Sequence, residues 1–182
     1  MLFKDIPQLT RAHYQVNVNW AYLEGHIAHA QDPKYVEEGM AVLDLEPDFQ
    51  RAHVWNEAQQ SSYVEWILKG GESGKELLFN CTGWSGSYEG PYVLVDGLQR
   101  LTAVRKFMRN ELKAFGHTLE ELGGVKAMRM TRCDFLWRVA SLDTRAEVLQ
   151  WYLQVNSGGV VHTSDELDRV REMLKKEKSN KK

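Results

Sequence analysis

The sequence predicts an α+β protein, a small mixed β-sheet covered by helices. Two patterns carry this reading. Short apolar runs with partial alternation, such as "LLFNC" and "YVLV", are scattered between segments of helical period. Two capping-box signatures, Thr144-x-x-Glu147 and Thr163-x-x-Glu166, open helices late in the chain, since hydroxyl and carboxylate satisfy two backbone donors reciprocally. The strands are few and short, so a large parallel sheet is not expected.

Taken in order, Tyr14, Val16 and Val18 alternate with polar residues and predict a strand. Asn19 then caps a helix in which Trp20, Leu23 and Ile27 recur up to about Ala30. "QDPKYVEEG" reads as a polar connection, and "MAVLDLEPDF" as a strand entering a loop at Pro47. Val64, Ile67 and Leu68 share one face of a helix over 57–69. "GGESGKE" is a turn, "LLFNC" a strand and "TGWSGSYEGP" a loop whose Trp84 and Tyr88 either anchor it or stack on a base. "YVLV" is a buried strand, and a helix follows from Leu98 to about Glu111 with Leu101, Val104 and Met108 on one side. "AMRMTRCDFLWRV" predicts a further, kinked strand. "NSGG" ends the helix begun at Thr144, because glycine accepts the left-handed cap conformation. The expected organisation is an N-terminal strand/helix extension (1–40), a central domain (41–174) and a solvated basic tail (175–182).

The 182 residues are 43% hydrophobic and 26% charged, with net charge −2, so no global basic field recruits nucleic acid. Cys81 and Cys133 are too few for a disulfide framework and are expected as reduced thiols. No apolar run approaches the ~18 residues of a membrane span and no signal-peptide core is visible, so the expectation is a cytoplasmic protein without a membrane partner. His26 and His29 lie one helical turn apart, but without a third ligand nearby they are read as packing residues.

Three polar clusters concentrate the chemistry. The first is "VDGLQRLT", where a strand becomes a helix. Unpaired N–H groups and the helix dipole favour an anion there, and Gly97 lets the backbone turn tightly. Arg100 offers a planar fork for phosphate oxygens, Gln99 an amide and Thr102 a hydroxyl. Three roles suit Asp96: holding a divalent cation such as Mg²⁺, orienting Arg100, or positioning water. The plainer alternative makes Asp96 a helix cap and Arg100 a surface ion-pair partner. The second cluster, "FQRAHVW", places Gln50, Arg51 and His53 among aromatics, with Arg51 either a second cation for the anion or a guanidinium stacked on Trp55. The third, "VNSGG", offers Asn156, Ser157 and Gly158 at a helix end, or is an ordinary glycine cap.

In this order, F-Q-R-x-x-V-W, D-G-x-Q-R-L-T and N-x-G-G before a helix, the clusters resemble the DGQQR-motif family. This is the N-terminal domain of GmrSD-type modification-dependent restriction systems and its phage relatives. The resemblance spans about Leu43 to Val170. It implies a ParB/sulfiredoxin-like fold and a site for binding and hydrolysing a nucleoside triphosphate, with Mg²⁺ as cofactor. By position it assigns Asp96 and Arg100 to catalysis, Asp96 also to the metal, and Gln50, Arg51, Gly97, Gln99, Asn156 and Gly158 to the nucleotide. Leu98 departs from the motif, standing where the restriction proteins usually carry a glutamine; leucine can pack inward but cannot place water. Those relatives also carry an HNH nuclease domain, and the six histidines here form no recognisable nuclease motif. Two other functions compete: a ParB-like DNA-binding or nuclease protein using Arg129, Arg132, Arg138 and the basic tail, and a non-catalytic protein that engages a host defence partner.

Overall fold

The computed structural model describes residues 5–6, 9–51, 54–156 and 164–179. Five strands form one mixed sheet: β1 (Tyr14–Asn19), β2 (Leu43–Asp44), β3 (Glu76–Cys81), β4 (Tyr92–Asp96) and β5 (Asp134–Ala140), in the order β1-β5-β3-β4-β2. β3 pairs antiparallel with β4 and parallel with β5; β1 joins β5 antiparallel, and β2 joins β4 parallel. The helices are α1 (Leu23–Ala30, after a 3₁₀ turn at Trp20–Tyr22), α2 (Lys34–Glu37), α3 (Glu57–Leu68), α4 (Leu98–Met108), α5 (Gly124–Met128), α6 (Arg145–Asn156) and α7 (Ser164–Ser179).

Both faces of the sheet are covered, and β4 shows how the sequence specifies this. Successive strand residues point to opposite faces. Tyr92 and Leu94 belong to the larger core with Phe79, Trp137, Leu101 and Val104, on the side of α1, α3 and α4. Val93 and Val95 belong to the smaller core with Phe49, Leu149, Tyr152 and Val170, on the side of α6 and α7. An unbroken "YVLV" run is what such a doubly buried strand requires.

Several expectations change. Residues 14–30 are integral to the sheet domain, since β1 is its edge strand and Val18, Trp20, Leu23 and Ile27 enter the larger core. Asn19 does cap the turn that follows it, accepting from the Ala21 N–H at 2.9 Å. The connection after Ala30 contains α2, and "AMRMTR" holds the end of α5, so the strand there begins only at Asp134. The strand expected in "MAVLDLEPDF" shrinks to two residues. α7 continues to Ser179, through much of the expected tail. The capping box at Thr144 forms, with the Thr144 N–H donating to Glu147 Oε2 at 3.0 Å and the Glu147 N–H to Thr144 Oγ1 at 3.3 Å. Thr163 lies outside the described residues. Cys81 and Cys133 are free and buried, and burial pushes both thiols up, Cys81 to about 11. Among the described residues no helix is long and apolar enough to cross a membrane.

Candidate functional site

The C-terminal end of β4 opens into a recess of about 410 Å³ between α4, residues 50–51 and 55, and the end of α6. Gln50, Arg51, Asp96, Gly97, Gln99, Arg100 and Asn156 all line it, so segments far apart in sequence meet there. Among the described residues its lining carries two guanidinium groups and one carboxylate.

Gly97 makes the corner. It is the N-cap of α4 with φ at +109°, a conformation that favours glycine, and it offers no side chain to the first turn. Asp96 therefore does not cap the helix. Its Oδ2 accepts from Arg100 Nη2 at 2.5 Å, and the same Nη2 donates to the Glu76 carbonyl at 3.0 Å. Of the roles open to Asp96, orienting Arg100 is the one its contacts display. Arg100 Nε is buried without a hydrogen-bond partner among the described residues, so the guanidinium keeps donor capacity beyond its present bonds. A Cβ at position 97 would lie 2.4 Å from Leu77 Cδ2 and 3.3 Å from the Glu76 carbonyl oxygen. Gly97→Ala is expected to cost about 2–4 kcal/mol in urea unfolding, from backbone strain plus overpacking. It should also displace the start of α4.

The amides take structural work. Gln50 Nε2 donates to the Leu94 and Val95 carbonyls at 2.9 and 3.0 Å, tying its loop to the end of β4. Gln99 is buried, and its Oε1 accepts the Val54 and Trp55 N–H groups at 2.9 and 3.1 Å. That oxygen of the amide is thus committed to the wall of the recess. Asn156, the last residue of α6, turns its Nδ2 back to the Tyr152 carbonyl at 2.8 Å. Leu98 packs into the larger core and also borders the recess.

Arg51 does not need Trp55 to hold it: its Nη1 lies 3.7 Å from Glu166 Oε2 of α7. Phe49 anchors the loop instead, buried edge-on against Tyr152 with ring centroids 5.4 Å apart. Thr102, expected in the first turn, lies four residues beyond Leu98, about 6 Å along the axis, and is not among the lining residues. His53, Ser157 and Gly158 lie outside the described residues. Trp84 and Tyr88 sit at the opposite end of β4, beside Tyr92, and cannot stack on a base in this recess.

Three lining residues escaped the sequence reading as site residues, Trp55, Leu98 and Val155. Trp55 and Val155 carried a signal as members of the clusters "FQRAHVW" and "VNSGG", and Leu98 as the departure from the motif, but an apolar side chain there reads first as packing. Among the described residues Asp96 is the one carboxylate in the lining, and no group of three or more His, Cys, Asp or Glu side chains could hold a metal. Comparison of the chain with family models, with curated proteins and with solved structures finds no match.

Proposed function

We propose that the recess at the end of β4 binds the phosphate chain of a nucleoside triphosphate. The observation that carries this is the meeting of Arg51, Arg100 and the glycine-capped start of α4 around one cavity of about 410 Å³. The first N–H groups of α4 lack partners within the helix, and the dipole adds partial positive charge there. Arg100, held by Asp96 and the Glu76 carbonyl, supplies a fixed fork; Arg51 supplies a second cation from the facing loop. Trp55 on the same wall gives a base a surface to stack on. The likeness to the DGQQR-motif family and its ParB/sulfiredoxin-like fold points the same way.

Hydrolysis is a further step of this proposal. Mg²⁺ fits a site whose described lining carries one carboxylate, because it is commonly held by one or two carboxylates plus substrate phosphates and water. Asp96 would be its protein ligand, with Arg100 engaging only Oδ2 of that side chain. When bound, the ion would neutralise charge developing on the phosphates. Arg51 and Arg100 would stabilise the same charge from the protein side.

The test is a thermal-shift and calorimetric panel of ATP, GTP and CTP, with and without Mg²⁺, coupled to a phosphate-release assay. At a ligand concentration 100 times Kd, stabilisation of about 2.7 kcal/mol is expected. If no nucleotide at millimolar concentration moves the melting point, the reading fails. Binding without phosphate release would favour the non-catalytic alternative, a protein that engages a host defence partner. One observation favours DNA as a second reading. A depression bearing Arg11, His13 and Arg138 adjoins the recess, and Glu76 bridges the two, its carboxylate 3.1 Å from Arg138 Nη1 and its carbonyl on Arg100. Arg129 and Arg132 lie apart from it, against Tyr22 and beside Asp134. A DNA ligand would weaken steeply as salt rises in the same calorimeter.

A further inference from the structure

A second cavity, of about 280 Å³, lies at the other end of β4, about 13 Å along the strand from the first. Its walls are dominated by rings: Tyr35, Trp84, Tyr88 and Tyr92, with the imidazoles of His26 and His29. We propose that this cavity is an aromatic cage for a methylated ammonium group, such as the trimethylammonium end of a choline-type molecule or a methylated lysine.

The ring geometry selects a rounded ligand over a flat one. A planar guest covers one ring face at a time, whereas a rounded one can touch several inclined rings at once. Here neighbouring rings meet at steep angles: Trp84 and Tyr88 at 81° with centroids 5.5 Å apart, Trp84 and Tyr92 at 53° and 5.7 Å, His29 and Tyr35 at 88° and 5.4 Å. Such walls form the sides of a box. A methylated ammonium is compact and weakly hydrated, and several ring faces within about 6 Å can share its charge.

Charge favours a cation as well. The segments that build the walls, residues 32–41 and 82–92, carry Asp32, Glu37, Glu38 and Glu89 against one cation, Lys34. Lys34 itself already uses an aromatic wall. Its ammonium sits 5.1 Å from the Tyr35 ring centroid, with Asp32 Oδ2 3.3 Å away. Burial first, and then the neighbouring His29, hold the His26 imidazole below its ordinary value, which favours the uncharged form of that ring.

The rim is also held at a conformational cost. Tyr88 has φ at +53°, a region that bulky residues avoid. It stays there because its N–H donates to the Gly83 carbonyl at 3.0 Å and its carbonyl accepts the Ala41 N–H at 2.7 Å. Those two bonds fix an exposed tyrosine at the mouth of the cavity, where a strained residue is a pointer to function.

Titration calorimetry of the full chain with choline, against its neutral carbon isostere dimethylbutanol, separates cation recognition from apolar filling. Choline is expected to bind about tenfold or more tightly than the isostere, the factor set by a desolvated cation–π contact. Tyr88→Leu keeps an apolar residue at an exposed position and should lower choline affinity about tenfold with an unchanged melting point. Trp84→Leu should do so more strongly, with Tyr88→Leu carrying the test if Trp84→Leu fails to fold. Phosphocholine and Nε-trimethyllysine, titrated in parallel, distinguish a headgroup from a methylated side chain as the source. Equal affinity for choline and dimethylbutanol, unchanged affinity in Tyr88→Leu, or no choline binding at tens of millimolar overturns the proposal.

Discussion

Replacing Arg100 by alanine is expected, if the recess holds a nucleoside triphosphate as proposed, to lower that affinity by about a hundredfold or more, the usual consequence of truncating one partner of a desolvated charge-assisted contact. The reason lies in how the side chain is held. Asp96 and the Glu76 carbonyl both engage Nη2, which fixes the plane of the guanidinium at the mouth of the recess. Arg100→Lys keeps the charge but loses the fork, so it should recover only part of the affinity. Calorimetry with a slowly hydrolysed triphosphate reads both variants. Alanine also leaves Asp96 without its partner, so melting points must be recorded beside the affinities. A fold-stable Arg100→Ala protein with undiminished affinity would remove the corner from the binding site.

The largest effect on stability is expected from Trp137→Ala, about 4–5 kcal/mol in urea unfolding. Trp137 is buried in β5 and stacks on Phe79 of β3 with centroids 3.9 Å apart and planes 12° from parallel. Its Nε1 donates to the Tyr92 hydroxyl of β4 at 3.0 Å, so one side chain joins three adjacent strands. Burial pushes the Tyr92 hydroxyl well above the ordinary tyrosine range, so it remains a neutral O–H at working pH. Removing the indole opens a cavity and forfeits both contacts. For a chain of this size the melting point should fall by about 10–15 °C. A loss below about 2 kcal/mol would mean that the sheet draws its stability from elsewhere.

Much of this architecture was legible in the sequence, for reasons that differ by element. β1, β3 and β4 announced themselves by alternation or by an unbroken apolar run, α3 and α4 by periodic apolar positions, and α6 by its capping box and the glycines after it. α2 and α5, of four and five residues, are too short to display a period, and β2 offers two residues. Strand order was not legible, because alternation tells which face a residue takes and not which strand it meets. For the recess, the polar clusters at 50–51, 96–100 and 156 were visible, and the structure places them around one cavity. The orientation of their amides was not. Whether Gln99 faces a ligand or its own chain depends on the Val54 and Trp55 N–H groups needing an acceptor, and only the folded loop creates that need.

Those amides have a thermodynamic consequence. With Gln50 fastened to β4 and Gln99 fastened to residues 54–55, the loop carrying Arg51 is stitched at both ends before any guest arrives. Bonds already made at Gln50 and Gln99 need not be formed when a guest enters, so less of its interaction energy is lost to ordering those residues. The glutamines would then influence affinity without touching the guest, by keeping its receptacle in shape.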